Sequence, residues 1–116
     1  MKNILLIIAF CISVSIYAQK AATVEIKIKT SAQCDMCKER IEKAMAFEKG
    51  VKSSVLDLDS KVLTVNYLPK KTTPEKIRNA VAATGYDADD VPANAKAYDA
   101  LPPCCKKPDD PDHIGH

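Results

Sequence analysis

The chain has 116 residues and a formal net charge of +2, with 17 lysine and arginine residues against 15 aspartate and glutamate residues. This length allows one small domain with appended segments. The excess of basic residues is small and they are scattered, which excludes the concentrated positive surface of a nucleic-acid-binding protein.

The N-terminal segment, residues 1–18, predicts a secretory signal peptide. Lys2 supplies a positive charge, residues 4–14 are almost entirely apolar, and the segment ends at the small residue Ala18. This order is typical of cleaved signals. A membrane anchor is the alternative, but the apolar run is shorter than the roughly 20 residues that span a bilayer. We therefore expect cleavage after Ala18, a lead-in over residues 19–22 and a periplasmic location.

Two cysteines lie where a predicted strand turns into a predicted helix. Residues 24–29 alternate between apolar and charged side chains, as in a half-buried strand, and residues 38–48 carry apolar side chains at helical spacing. Between them stand Cys34 and Cys37, a CxxC motif. The start of a helix stabilises negative charge and therefore thiolates, which soft metal ions prefer as ligands. The motif predicts that Cys34 and Cys37 bind Cu(I) or Hg(II).

The rest of the domain predicts a small α+β fold. The further elements are strands over residues 51–58 and 62–67, a helix that begins at Pro74 and stops at Gly85, and a short strand over residues 86–91. Thr73 can cap the second helix, and Gly50 suits the end of the first. The order βαββαβ over residues 23–92 is that of a ferredoxin-like sandwich, an antiparallel sheet with two helices on one face.

The C-terminal tail, residues 93–116, carries further metal-ligating side chains. These are Cys104, Cys105, His113 and His116. Neighbouring cysteines form a disulfide only with strain, so we interpret the pair as metal ligands. Two arrangements stay open: the pair can fold back and complete a four-sulfur site with the CxxC motif, or it can bind Zn(II) with the histidines as a tetrahedral sulfur and nitrogen set. We expect the last dozen residues to be mobile without metal.

Two other interpretations of the cysteines compete with metal binding. The first is a thiol–disulfide redox module that uses Cys34 and Cys37, although a thioredoxin-like fold would need a different order of elements. The second is a set of structural disulfides, because an exported protein meets an oxidising compartment. The sequence offers no paired nucleophile and base, so we expect no enzymatic turnover.

With the CxxC motif placed, residues 23–91 resemble the heavy-metal-associated domain family, which includes periplasmic mercury-binding proteins, small copper chaperones and modules of copper-exporting ATPases. The resemblance is carried by linked segments: residues 31–37, 49–51, 62–67, 72–77 and 84–88. It implies that Cys34 and Cys37 are the metal ligands. It also implies that Tyr86 lies near the metal loop and tunes access to it; core packing is the alternative role for this side chain.

The resemblance further implies how such a protein works. It would sequester the ion and pass it on by thiolate exchange, with a metal-transporting ATPase or membrane permease as donor or acceptor, and it would be a monomer or a metal-bridged dimer. One departure stands out, because the family usually has Gly-Met-Thr where this chain has Ser31, Ala32 and Gln33. The missing methionine would pack beneath the loop, so we expect a less rigid loop here. We interpret Met36, between the two cysteines, as a spacer that faces solvent.

Overall fold

The computed structural model describes residues 22–115. The predicted signal peptide and His116 lie outside these residues. Among the residues described, none of the helices has the length and apolar character that crossing a membrane would require.

The core of the fold is a three-stranded antiparallel sheet. Its strands are β1 (Val24–Lys29), β2 (Val51–Asp57) and β3 (Val62–Tyr67), in the order β1-β3-β2. Leu63 and Val65 of β3 point inward and are fully buried, and their neighbours at even positions are only half-buried. The alternation read from the sequence therefore gives the sheet one covered face.

Two helices cover that face. They are α1 (Asp35–Phe47) and α2 (Pro74–Ala83). In α1 the buried residues are Cys37, Ile41 and Met45, which recur every fourth position and so form one stripe. Ile77 and Val81 do the same in α2, which Thr73 caps by accepting a hydrogen bond from the backbone N–H of Lys76. The predicted ferredoxin-like α+β architecture is confirmed.

The structure shortens the predicted fourth strand to one β-bridge, between Thr30 and Ala88. Ala88 and Val91 exchange two backbone hydrogen bonds of 2.9 Å, so the chain turns back on itself directly after the bridge. Asp89 in this turn has a φ of 52°, which a continuous strand cannot accommodate. Its carboxylate accepts a hydrogen bond from the N–H of Lys29 at 2.8 Å, which fixes the turn to the end of β1.

The C-terminal segment packs against the domain, which differs from the mobile end that the sequence predicts. It contains the short helix α3 (Ala95–Asp99) and a 3-10 turn (Pro103–Cys105). Leu101, Cys105 and Lys106 are buried, and the first two belong to the main core. The final residues are mostly polar, and such a composition is typical of mobile termini, so the sequence did not indicate that these few side chains are buried. They hold the segment in place.

Candidate metal centre

The loop before the CxxC motif is anchored on both sides. Ser31 Oγ accepts a hydrogen bond of 2.8 Å from the backbone N–H of Asp87, and Thr30 Oγ1 accepts one of 3.3 Å from the N–H of Ala32. Ala32 itself is fully buried. The loop that lacks the methionine is therefore held by hydrogen bonds and a small buried side chain. This arrangement differs from the less rigid loop that we expected from the sequence.

The two cysteines of the motif stand at the beginning of α1. Cys34 occupies the N-cap position with extended backbone angles, and Cys37 lies within the first turn. Their sulfur atoms are 3.3 Å apart. Both are buried, with 8% and 0% of their surface exposed. Two sulfurs that face each other at a helix N-terminus can bind one small cation between them.

The tail brings two more thiols to the same place. The Cys34 sulfur lies 3.5 Å from that of Cys105 and 3.7 Å from that of Cys104. The sulfurs of Cys104 and Cys105 are 4.0 Å apart. The thiols of all four cysteines in the described chain are free. Of the two tail arrangements that the sequence left open, the structure has the fold-back onto the CxxC motif, with Cys34 in contact with every other thiol.

The sulfur separations fit a bound ion. A metal–sulfur bond of about 2.3 Å places three sulfurs of a trigonal ion about 4.0 Å apart and four of a tetrahedral ion about 3.8 Å apart. The sulfurs of Cys34, Cys104 and Cys105 all lie within 4.8 Å of one another, with Cys37 next to Cys34. A donor set made of sulfur alone suits soft ions such as Cu(I) and Hg(II), and also Zn(II).

The histidines do not join this cluster in the part of the chain that the structure describes. His113 Nδ1 lies 2.7 Å from the backbone oxygen of Lys106, so this nitrogen donates a hydrogen bond to a carbonyl. The group of mutually close ligands within residues 22–115 contains cysteines and no histidine. His116 lies outside the described residues. The predicted zinc site of tail cysteines and histidines is therefore not assembled around His113.

Tyr86 lies beneath the thiols. It is fully buried, and its hydroxyl has no hydrogen-bond partner within residues 22–115. Burial is the main cause that raises the pKa of this hydroxyl, and the adjacent thiols of Cys37 and Cys105 add to the effect without meeting hydrogen-bond geometry. Burial likewise raises the pKa of the Cys105 thiol, and nearby Cys37 contributes. Tyr86 thus packs in the core, and its hydroxyl oxygen lies next to the thiols of Cys37 and Cys105.

Several contacts that sequence reasoning missed join the tail to the domain or fold the tail on itself. Lys107 Nζ lies 2.7 Å from a carboxylate oxygen of Asp87. The Tyr98 hydroxyl donates a 2.7 Å hydrogen bond to Asp110 and accepts one of 3.0 Å from the N–H of Lys107. Lys106 Nζ donates to the backbone oxygens of Tyr98 and Asp99, both at 3.2 Å. The signal in the sequence was the dense mixture of acidic, basic and aromatic residues on both sides of the cysteine pair.

Met36 takes the exposed position expected of a spacer, with 46% of its surface accessible. Its sulfur nevertheless lies 3.6 Å from that of Cys104. Cys34, Asp35, Met36, Leu58 and Cys104 line a cleft of about 280 Å³ beside the thiols. Cys34 and Cys104 both line this cleft, and it is the side from which an ion or another ligand can approach.

The chain belongs to the heavy-metal-associated domain family, whose pattern it matches over residues 22–87. A copper-exporting P-type ATPase of Staphylococcus aureus is 33% identical over 72 residues, which is 62% of this chain and 9% of that protein. The chain thus spans only a small fraction of such relatives. Cys104 and Cys105 lie beyond the family match.

Solved structures show the same fold. The N-terminal domain of a potential copper-translocating P-type ATPase from Bacillus subtilis, determined in the Cu(I)-loaded state, is 26% identical, with a TM-score of 0.56 over 59% of this chain and 86% of that one. Oxidised MerP from Ralstonia metallidurans is 23% identical, with a TM-score of 0.56 over 59% of this chain and 96% of that one. Family membership and the cluster of thiols together indicate that the chain binds a heavy metal.

Proposed function

We propose that this chain is an exported protein that binds Cu(I) or Hg(II) at Cys34 and Cys37 and passes the ion on by exchange of thiolate ligands. The observation that carries the proposal is the pair of buried sulfurs 3.3 Å apart at the start of α1, within the heavy-metal-associated domain. Export to the periplasm is part of the proposal and is supported by the signal-like residues 1–18.

The handover follows from the position of the thiols. Cys34 and Cys37 lie at the N-terminus of α1, where backbone N–H groups without helical partners favour negative charge. A thiolate of a partner enters through the cleft, its sulfur binds the ion, and a bond from the ion to Cys34 or Cys37 then breaks. Each step exchanges one metal–sulfur bond for another, so no oxidant or reductant is consumed and no enzymatic turnover is involved.

The partner is a protein that itself presents thiolates, and we propose a metal-transporting ATPase or a membrane permease. The similarity of this domain to part of a copper-exporting ATPase supports the first of these, because two similar domains can present their thiols to one ion in the same way. The same geometry permits a monomer or a metal-bridged dimer. The metal is cargo in this function.

A competition titration tests the proposal. Reduced, oxygen-free mature protein is titrated with Cu(I), and separately with Hg(II), against a chromogenic chelator. We expect tight binding by the wild type and its loss in Cys34→Ser/Cys37→Ser. Ser53→Ala, a change of an exposed polar residue on β2, serves as the control and should bind like the wild type. Binding by the double variant that equals that of the wild type would mean that the main metal site lies elsewhere. Export is tested separately, because the intact mass of the exported protein shows whether the chain is cleaved after Ala18.

Zn(II) binding is a second candidate, favoured by the sulfurs of Cys34, Cys104 and Cys105, whose separations of 3.5, 3.7 and 4.0 Å are close to those at a zinc site. Competition between Zn(II) and Cu(I) for one equivalent of protein distinguishes the two. A thiol–disulfide redox module is the remaining alternative, and the reduction potential of the Cys34–Cys37 pair tests it, because a redox module is poised near the potential of its compartment.

A further inference from the structure

We propose that the C-terminal segment over residues 95–107, the clasp, adds the sulfurs of Cys104 and Cys105 to the ion site at Cys34 and controls release of the ion. The inference rests on the proposed function, because it concerns the same ion. It goes beyond the family, because the match ends at residue 87 and the clasp begins after it.

The sulfurs of the clasp lie next to the sulfur of Cys34. Cys34 lies 3.5 Å from Cys105 and 3.7 Å from Cys104, nearly as close as it lies to Cys37 at 3.3 Å. An ion bound to Cys34 is therefore within reach of both clasp sulfurs. A two-coordinate ion would keep its ligands on opposite sides, whereas the sulfurs of Cys34, Cys104 and Cys105 lie 3.5–4.0 Å from one another, close to the spacing of three ligands around one ion.

The clasp is held against the domain by contacts that need no metal. Cys105 is 1% exposed, and it belongs to the same core cluster as the residues of the sheet. The ion pair between Lys107 and Asp87 joins the clasp to the domain, and the Lys106 bonds to two backbone oxygens of α3 fold the clasp on itself next to the cysteines. The ligands are thus preorganised, which lowers the entropic cost of placing a third sulfur on the ion.

The helix α3 of the clasp lies very close to the domain at Gly85. A Cβ atom at Gly85 would lie 3.0 Å from the backbone carbon and oxygen of Ala97, closer than ordinary contact. Gly85 also has a φ of +106°, a conformation that suits glycine. The absence of a side chain at Gly85 is therefore what lets α3 lie close enough to deliver Cys104 and Cys105.

These contacts define how the ion leaves. Cys104 is half-buried and lines the cleft, whereas Cys105 is enclosed, so an incoming thiolate displaces Cys104 before Cys105. The incoming sulfur forms a bond to the ion as the bond to Cys104 breaks, and the displaced thiolate takes up a proton from water. Removal of Cys105 then requires the clasp to separate from the domain, and this separation limits the rate of release.

The experiment compares coordination and exchange in matched variants. Wild type, Cys104→Ser and Cys104→Ser/Cys105→Ser are loaded with one equivalent of Cu(I), and X-ray absorption counts the sulfur ligands. Competition and stopped-flow transfer to a chelator give the affinity and the release rate. Lys107→Met loosens the clasp without removing a thiol, and Lys96→Met, which removes the same charge from an exposed position on α3, is its control.

We expect three or more sulfurs in the wild type and two in the double variant, with an affinity lower by about 10²-fold, as for loss of a tethered ligand. Release should be faster in the double variant and in Lys107→Met, and unchanged in Lys96→Met. If the double variant does not fold, the single variant Cys104→Ser takes its place, because a change at a half-buried position should preserve the fold. Its bound ion should have one sulfur ligand fewer than in the wild type.

Two sulfurs in the wild type, or equal affinity and release rate in wild type and the cysteine variants, would overturn the clasp while leaving the proposed function intact. A wild type that binds no metal would overturn the proposed function itself, and the clasp with it.

Discussion

The sulfur atoms of Cys34 and Cys105 lie 3.5 Å apart, although 71 positions separate the two residues in the sequence. Cys34 is the N-cap of α1 and Cys105 closes a 3-10 turn near the end of the chain. Their contact joins the heavy-metal-associated domain to a segment outside it. Formation of the complete thiol cluster therefore depends on the packing of the C-terminal segment.

The order of thiol modification tests this arrangement directly. In reduced, metal-free protein we expect Cys104 to react first with iodoacetamide, because it is half-buried and the other three described cysteines are enclosed. Cys34, Cys37 and Cys105 are 8%, 0% and 1% exposed and should react at rates set by local opening. Peptide mass mapping over time gives the order, and unfolded protein is the control. Early labelling of Cys105 would show that the segment is not packed.

Gly85→Ala should displace α3. The substitution adds a Cβ 3.0 Å from the Ala97 backbone at a residue with φ of +106°, so we expect a loss of about 1–3 kcal/mol in the free energy of unfolding and rapid labelling of Cys105. Gly50→Ala is the matched control. Its φ is +85° and its Cβ would lie 2.8 Å from Thr72 Cγ2, away from the C-terminal segment.

Both variants should be destabilised when unfolded with urea, but only Gly85→Ala should expose Cys105. Equal labelling of Cys105 in the two variants would mean that the approach of α3 to Gly85 does not position the thiol.

Tyr86→Phe should separate packing from the role of the hydroxyl. The buried hydroxyl has no hydrogen-bond partner within the described chain, so its removal should leave the free energy of unfolding of the metal-free protein unchanged or raise it by about 1 kcal/mol. A hydroxyl that donates to a metal-bound thiolate would instead show itself as a lower Cu(I) affinity in the variant. Urea unfolding and chelator competition measure the two quantities.

Tyr98→Phe provides the contrast for Tyr86→Phe. The Tyr98 hydroxyl donates to Asp110 and accepts from the N–H of Lys107, so its removal should cost about 1 kcal/mol of unfolding free energy. A similar loss in Tyr86→Phe would contradict an unpartnered hydroxyl at that position.

The ion pair between Lys107 and Asp87 should make the stability depend on pH. Burial alone would raise the pKa of Asp87, but the hydrogen bonds from Lys107 and from the N–H of Ala93, with the ammonium charge, outweigh it and lower the pKa. A carboxyl with a lowered folded-state pKa stabilises the fold above its unfolded pKa of about 3.9, and this contribution is lost as the pH falls through the folded value.

Lys107→Met should therefore cost about 0.5 kcal/mol near neutral pH, a value suited to a partly exposed pair. The difference from wild type should shrink as the pH falls from the unfolded pKa of about 3.9 through the lower folded-state pKa of Asp87. Urea unfolding at pH 7 and pH 3 measures it, with Lys96→Met as the control for the lost charge. A difference that is constant with pH would exclude the ion pair as its source.

The local patterns in the sequence were sufficient for most of the domain. Alternation in residues 24–29 and 62–67 located β1 and β3, because one face of each strand is buried. Thr73 followed by Pro74 located the start of α2, because capping is a local interaction. The same patterns placed Cys34 and Cys37 at the junction of a strand and a helix.

Two features could not be obtained from local patterns. The fourth strand is cut short by a turn at Asp89, whose positive φ is stabilised by its contacts with Lys29, 60 positions away in the sequence, and with Arg78, 11 positions away. The packing of the tail depends on pairs such as Lys107 with Asp87, and a polar sequence gives no indication of which partner each charge finds. The sequence therefore predicted a ligand role for Cys104 and Cys105 and left open what they would join.

The distance in sequence between Cys34 and Cys105 has a consequence for the life of the protein. An ion held by both sulfurs closes a loop of 71 residues, as a disulfide would, and the chain-entropy treatment of such a closure gives about 4 kcal/mol against unfolding. Metal binding and folding are then linked, so the cargo is also a removable cross-link. The loaded protein should resist proteases, and delivery of the ion should leave an empty chain that is degraded more readily.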